Sequence, residues 1–132
     1  MSEEGRLALA ELGRELAAEG TPISPRIVAS PDGPYPGSGS HAAVVEAVRE
    51  GYLLHYGDSR LLSGHDDDLA LLAGDYLYAI GIRRLAASGD CAAVLRLAEL
   101  IGACAERHAE AREAEVPGLW DEAASAMADE SQ

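Results

Sequence analysis

Four consecutive residues, His65-Asp66-Asp67-Asp68, offer the donor types that a divalent cation takes. Carboxylate oxygens bind Mg²⁺ or Ca²⁺, so this run is the first place to look for metal chemistry. Its spacing is wrong for that task. Successive residues on a helix point about 100° apart, so the three adjacent carboxylates diverge and only His65 and Asp68 share a face. Two ligands are few, and the alternating acids, glycine and closing glutamate of a calcium loop do not follow. Acids in a first helical turn also complement the helix dipole, which accounts for the run without a ligand. His65 and Asp68 remain the metal candidates.

Asp75 is a second suspect, the one acid in the apolar stretch Leu71-Leu72-Ala73-Gly74-Asp75-Tyr76-Leu77. If buried, it must be paired or hydrogen-bonded, because a lone buried carboxylate costs several kcal/mol. A structural bond to a neighbouring helix is the expectation. His55-Tyr56 followed by Asp58-Ser59-Arg60 invites a hydrolase reading, but no G-x-S-x-G elbow or strand surrounds Ser59. His108, among Arg107, Glu106 and Glu110, is expected as a solvated or edge histidine. H-E-x-x-H, C-x-x-C, G-x-G-x-x-G and phosphate-cradling loops are all missing from the sequence. No catalytic or cofactor-binding residue is therefore assigned, and no cofactor is expected.

The elements that carry these residues read as helices throughout. Leu9, Leu12 and Leu16 mark one face of a helix over about Gly5–Glu19, stopped by Gly20. Residues 21–39 then gather five prolines and three glycines, which predicts a long loop, a linker or mobile working segment. Ser40 is a candidate N-cap for a helix from His41 to about Leu62, with a kink expected near Gly57. Val44, Val45, Val48 and Tyr52 form its stripe.

The third helix opens at His65–Asp68 and runs through Leu69 to Ala87, ending at Ser88-Gly89. Leu69, Leu72, Tyr76 and Ile80 form one face, and Ala70, Gly74, Leu77 and Gly81 another. Gly74 and Gly81 are expected to let a neighbouring helix approach closely. Apolar on two faces, this helix is expected at the centre. Asp90 caps a fourth helix over Cys91 to about Glu113, and Pro117-Gly118 separates it from a short helix over Leu119–Met127. Residues 128–132 should fray. An all-α bundle of four to five helices follows, one domain over residues 1–132.

Composition supports that fold and narrows the role. Apolar residues make up 48% and phenylalanine is absent, so the core must be built from Leu, Ala, Val and Ile. Net charge is −13, and all ten bases are arginines. Such a surface repels phosphate backbones, so nucleic-acid binding is not expected. No apolar run reaches the ~18 residues of a membrane span. Cys91 and Cys104 lie about 20 Å apart along one helix, too far for a disulfide, and are expected as buried thiols. The acidic opening Met1-Ser2-Glu3-Glu4 lacks the basic start of a secretory signal, so a cytoplasmic location is expected.

Leu71-Leu72-Ala73-Gly74-Asp75-Tyr76-Leu77, then Arg84-Leu85-Ala86, Gly89-Asp90 and Val94-Leu95-Arg96-Leu97-Ala98, resembles a segment of the trans-polyprenyl diphosphate synthases. The likeness covers roughly residues 53–110, and its Ala-Gly-Asp-Tyr-Leu core is the distinctive part. That family ionises an allylic diphosphate with Mg²⁺ held by two D-D-x-x-D clusters. Neither cluster occurs here: begun at Asp66 the pattern ends on Ala70, and begun at Asp67 it ends on Leu71. The arginine pair that should follow the first cluster is also missing from its place. The resemblance therefore implies a partial isoprenoid-synthase-like fold without the synthase chemistry. It implies an accessory or regulatory subunit, a heterodimer partner of a catalytic prenyl synthase, with an apolar helix face that forms the interface and lines a hydrophobic tunnel. A stand-alone homodimeric helical module is the alternative, and a reduced Mg²⁺-dependent enzyme using Asp66–Asp68 or Asp75 the third.

Overall fold

Val44, Val45, Ala47, Val48, Tyr52 and Leu54 cover one half of a helix, Glu46 and Glu50 lie on the other, and all are buried. A helix buried on both of its sides belongs in an interior. This helix is the axis of the fold. In the computed structural model, which describes residues 3–130, the chain is all-α. It comprises α1 (Glu3–Ala18), α2 (Ala42–Tyr56), α3 (Asp67–Ser88), α4 (Cys91–Ala109) and α5 (Val116–Glu130). Expectations for Met1-Ser2 and Ser131-Gln132 lie outside the described residues.

Two apolar clusters sit on opposite sides of α2. Leu9, Leu12 and Leu16 of α1 join Leu54, Leu61, Leu77 and Ile80 in one. Val45, Val48 and Tyr52 join Leu97, Cys104, Trp120 and Met127 of α4 and α5 in the other. α3 packs along α2 over most of its length.

Glycines make that packing close. A Cβ on Gly51 would stand 2.9 Å from the Gly74 carbonyl oxygen, and one on Gly81 2.5 Å from Val48 Cγ2. A Cβ on Gly74 would collide with the His55 ring. Gly51 thus lies at a buried helix crossing.

Several boundaries differ from the sequence reading. The centre of the bundle is α2, whereas α3 buries one face and leaves Leu71, Leu72, Tyr76 and Ile82 exposed. α2 stops at Tyr56 rather than kinking on to Leu62. Beyond Gly57, the N–H groups of Arg60 and Leu61 bond to the Glu50 carboxylate instead of helix carbonyls. α4 ends at Ala109. Pro117-Gly118, expected as a break, lies in the first turn of α5, where a missing N–H costs nothing.

The 21–39 segment is tied down rather than a plain linker. Val28 N–H donates to Leu61 O at 2.8 Å and Ser63 N–H to Arg26 O at 3.0 Å, around an isolated antiparallel bridge between Ile27 and Leu62. Ile23 and Gly37 are buried. Asp66 and Asp90 cap α3 and α4, each accepting from the N–H three residues on. The left-handed Gly89, φ 79°, closes α3 as expected. No helix among the described residues is long and apolar enough to cross a membrane.

Candidate functional site

Glu46 and Glu50 are four residues apart, so one helical turn stacks them on the same side of α2. Both are completely buried. Arg60, also buried, reaches both: Nη1 donates to Glu46 Oε1 at 2.6 Å and Nε to Glu50 Oε2 at 3.1 Å. Gly37 N–H donates to Glu46 Oε2 at 2.6 Å. Glu50 Oε1 accepts from the N–H groups of Arg60 and Leu61, at 2.9 and 3.0 Å, and from the Ser59 hydroxyl. All four carboxylate oxygens therefore have donors.

That satisfaction is what lets three charges stay inside. Burial pushes the Glu46 carboxyl above the usual carboxylate range, opposed by the Arg60 charge and the Gly37 N–H. Arg60 Nη1 also donates to Pro34 O, so one guanidinium fastens the 21–39 segment, the 57–61 segment and α2 together. The cluster is a structural latch with no open coordination. Ser59, suspected of hydrolase chemistry, is part of it.

A second cluster lies along α2 toward α5. Tyr52 Oη and His108 Nε2 are 2.7 Å apart, and the His108 ring stacks on Tyr56 with centroids 4.1 Å apart. His108 is thus half-buried at the edge of an aromatic group rather than freely solvated. The Arg49 guanidinium sits 5.3 Å from the Tyr52 ring centre and 5.0 Å from that of Trp120. It forms no ion pair among the described residues, and ring faces carry its charge. Burial, then the nearby Arg60 charge, lowers its pKa.

The metal candidates do not assemble. Asp68 is exposed, Asp66 is spent as a cap, and His65 Nδ1 is buried without a partner. No group of three or more His, Cys, Asp or Glu able to hold a cation occurs among the described residues. Asp75 is also not where a buried acid would be: its side chain is 66% exposed, with Oδ1 3.1 Å from His55 Nε2. Register explains this, since Gly74 rather than Asp75 faces α2. Cys104 is buried, but Cys91 is exposed, because it opens α4 on the side facing away from α2.

What remains open is the outer face of α3. Leu71 is 54% exposed, Leu72 66%, Ile82 42% and Tyr76 36%, an unusual concentration for an acidic chain. Beside it, Pro22, Ile23, Leu69, Leu72 and Tyr76 line an apolar groove of about 310 Å³. The Tyr76 hydroxyl donates to Glu19 at the end of α1, fixing the ring over that groove.

Fold and site together define an all-α helical bundle with an internal polar latch and one uncovered apolar helix face. Comparison with protein-family models, curated proteins and solved structures returns no match.

Proposed function

We propose that this protein is a non-catalytic, prenyl-synthase-like helical module that works by association, using the outer face of α3. The exposure of Leu71, Leu72, Tyr76 and Ile82 on one helix carries the reading. Covering apolar surface gains roughly 25 cal/mol for each Å² taken out of water, so a partner seated on these four side chains is favoured by the part of each that is still exposed. The ionisable groups inside the fold support it too, since Glu46, Glu50 and Arg60 satisfy one another and leave no donor for a substrate.

Two partners fit. The Ala-Gly-Asp-Tyr-Leu resemblance favours a catalytic prenyl synthase subunit, for which this chain would be an accessory subunit. The charge pattern of α3 favours a second copy. Incubating the pure protein with Mg²⁺, isopentenyl diphosphate and farnesyl diphosphate tests the non-catalytic part: no elongated product is expected, and elongation by this chain alone overturns it. Leu72→Asp tests the face: binding to a co-expressed synthase, or to itself, should fall at least tenfold while the fold is retained.

A further inference from the structure

The exposed residues of α3 between positions 71 and 87 are 71, 72, 75, 76, 79, 82, 83, 86 and 87. Every fourth residue from 71 forms one row along the helix, reading Leu71, Asp75, Ala79, Arg83 and Ala87. Reversed about Ala79, the row matches itself: Leu71 falls on Ala87, Asp75 on Arg83, and Ala79 on its own copy. We infer that this face docks a second copy of the chain antiparallel, around a twofold axis near Ala79, with Asp75 of each protomer facing Arg83 of the other. The inference rests on the reading of α3 as an association surface and names what covers it.

Three features of the molecule favour a copy as the occupant. An isologous contact requires a patch complementary to itself, and one acid and one base at equal distances from a central small residue meet that requirement. Rows of every fourth residue are also the ridges that interlock in the commonest helix crossing, near about 50°, where a central alanine permits close approach. The third feature is charge. The chain carries −13, so most faces of two copies repel. Between 71 and 87 the exposed charges are Asp75 and Arg83 alone, and they cancel.

Both ionic groups are available. The Arg83 side chain is exposed and forms no ion pair or hydrogen bond among the described residues, and Asp75 keeps its side chain 66% exposed beside His55. Leu72 and Tyr76 flank the row on one side and Ile82 and Ala86 on the other, which closes the pairs off from water.

Sedimentation of the pure protein tests the pairing. A species of twice the 13.8 kDa chain mass is expected at micromolar concentration. Asp75→Arg and Arg83→Asp each set like charges opposite one another twice, and each should weaken the dimer at least tenfold. Combining them restores the pairs and should restore the dimer, which no loss of the Asp75–His55 contact would mimic. Ala79→Cys in a Cys91→Ala background places one thiol near the axis and should yield a disulfide-linked dimer on mild oxidation, with circular dichroism confirming that each variant folds. A dimer insensitive to both single substitutions overturns the pairing while leaving association intact. A monomer that binds a prenyl synthase through Leu72 overturns the second copy as partner but not the association reading. A monomer that binds none, unchanged by Leu72→Asp, overturns both.

Discussion

Arg60 Nη1 lies 2.6 Å from Glu46 Oε1 inside the protein, and both side chains are almost wholly removed from water. The pair ties two loops, 21–39 and 57–61, to α2. Removing one member leaves the other uncompensated, which is far costlier than the pair's net contribution.

Arg60→Met should therefore destabilise the protein by roughly 3–5 kcal/mol near neutral pH. The loss should shrink in acid. Burial already raises the folded Glu46 pKa above its unfolded value, so this group's stabilising contribution is full below the unfolded pKa and declines as pH rises through the folded one. Without Arg60 the folded value moves further up, and the variant loses more on the way to neutrality. Urea unfolding at pH 5 and pH 8 measures this. An equal loss at both would show that the charge of Arg60 is not what the latch needs.

Helical periodicity in the sequence located five helices, and the sequence reading also located the α1 core of Leu9, Leu12 and Leu16 and the Asp90 cap, while it placed Asp66, the cap of α3, inside the first turn. It misplaced the centre, because an apolar face left exposed on α3 and one buried on α2 look alike in sequence. Glu46 and Glu50 were the missed residues. Nothing in the sequence marked them: in Val44-Val45-Glu46-Ala47-Val48-Arg49-Glu50-Gly51 the valines share one side of the helix while Glu46, Arg49 and Glu50 share the other, which reads as an ordinary solvated face. Arg60 and the Gly37 N–H were not legible, since only tertiary folding brings them to those carboxylates.

Two glycines in helix interiors should respond oppositely to alanine. At Gly51 a Cβ would meet the Gly74 carbonyl oxygen and Tyr78 Cδ1, each at 2.9 Å. Gly51→Ala should cost roughly 1–3 kcal/mol as α2 and α3 are forced apart, outweighing the helix propensity gained. Nothing lies within 4 Å of a Cβ on exposed Gly102 of α4. Gly102→Ala should stabilise by about 0.5–1 kcal/mol. Thermal unfolding of the two variants beside the parent decides it. A gain at Gly51 would mean that the helices are not locked at that separation.

Asp90 joins two elements, accepting from Ala93 N–H at the start of α4 and lying 2.9 Å from His41 Nε2 at the start of α2. His41, and after it the Ala93 N–H, holds the Asp90 carboxyl below the usual range. A depressed carboxylate contributes stability above its unfolded pKa and loses it as pH falls through the folded value. Asp90→Ala should lower the melting temperature at pH 7 and flatten its decline below about pH 4, where the parent protonates this group. An unaltered slope in that acid range would place the acid sensitivity elsewhere.

The two thiols should separate cleanly. Cys91 is exposed at the first turn of α4, whereas Cys104 is buried against α2 and α5 and burial pushes its pKa up. A thiol that is both hidden and protonated reacts slowly, because the thiolate is the nucleophile. A disulfide reagent at pH 8 should modify one equivalent within minutes in the native protein. The second should follow only with unfolding, so its rate should rise in Arg60→Met in step with the lost stability, if global opening exposes it. Immediate reaction of two thiols in the native protein would show that the α2–α4–α5 core opens locally around Cys104, independent of the latch.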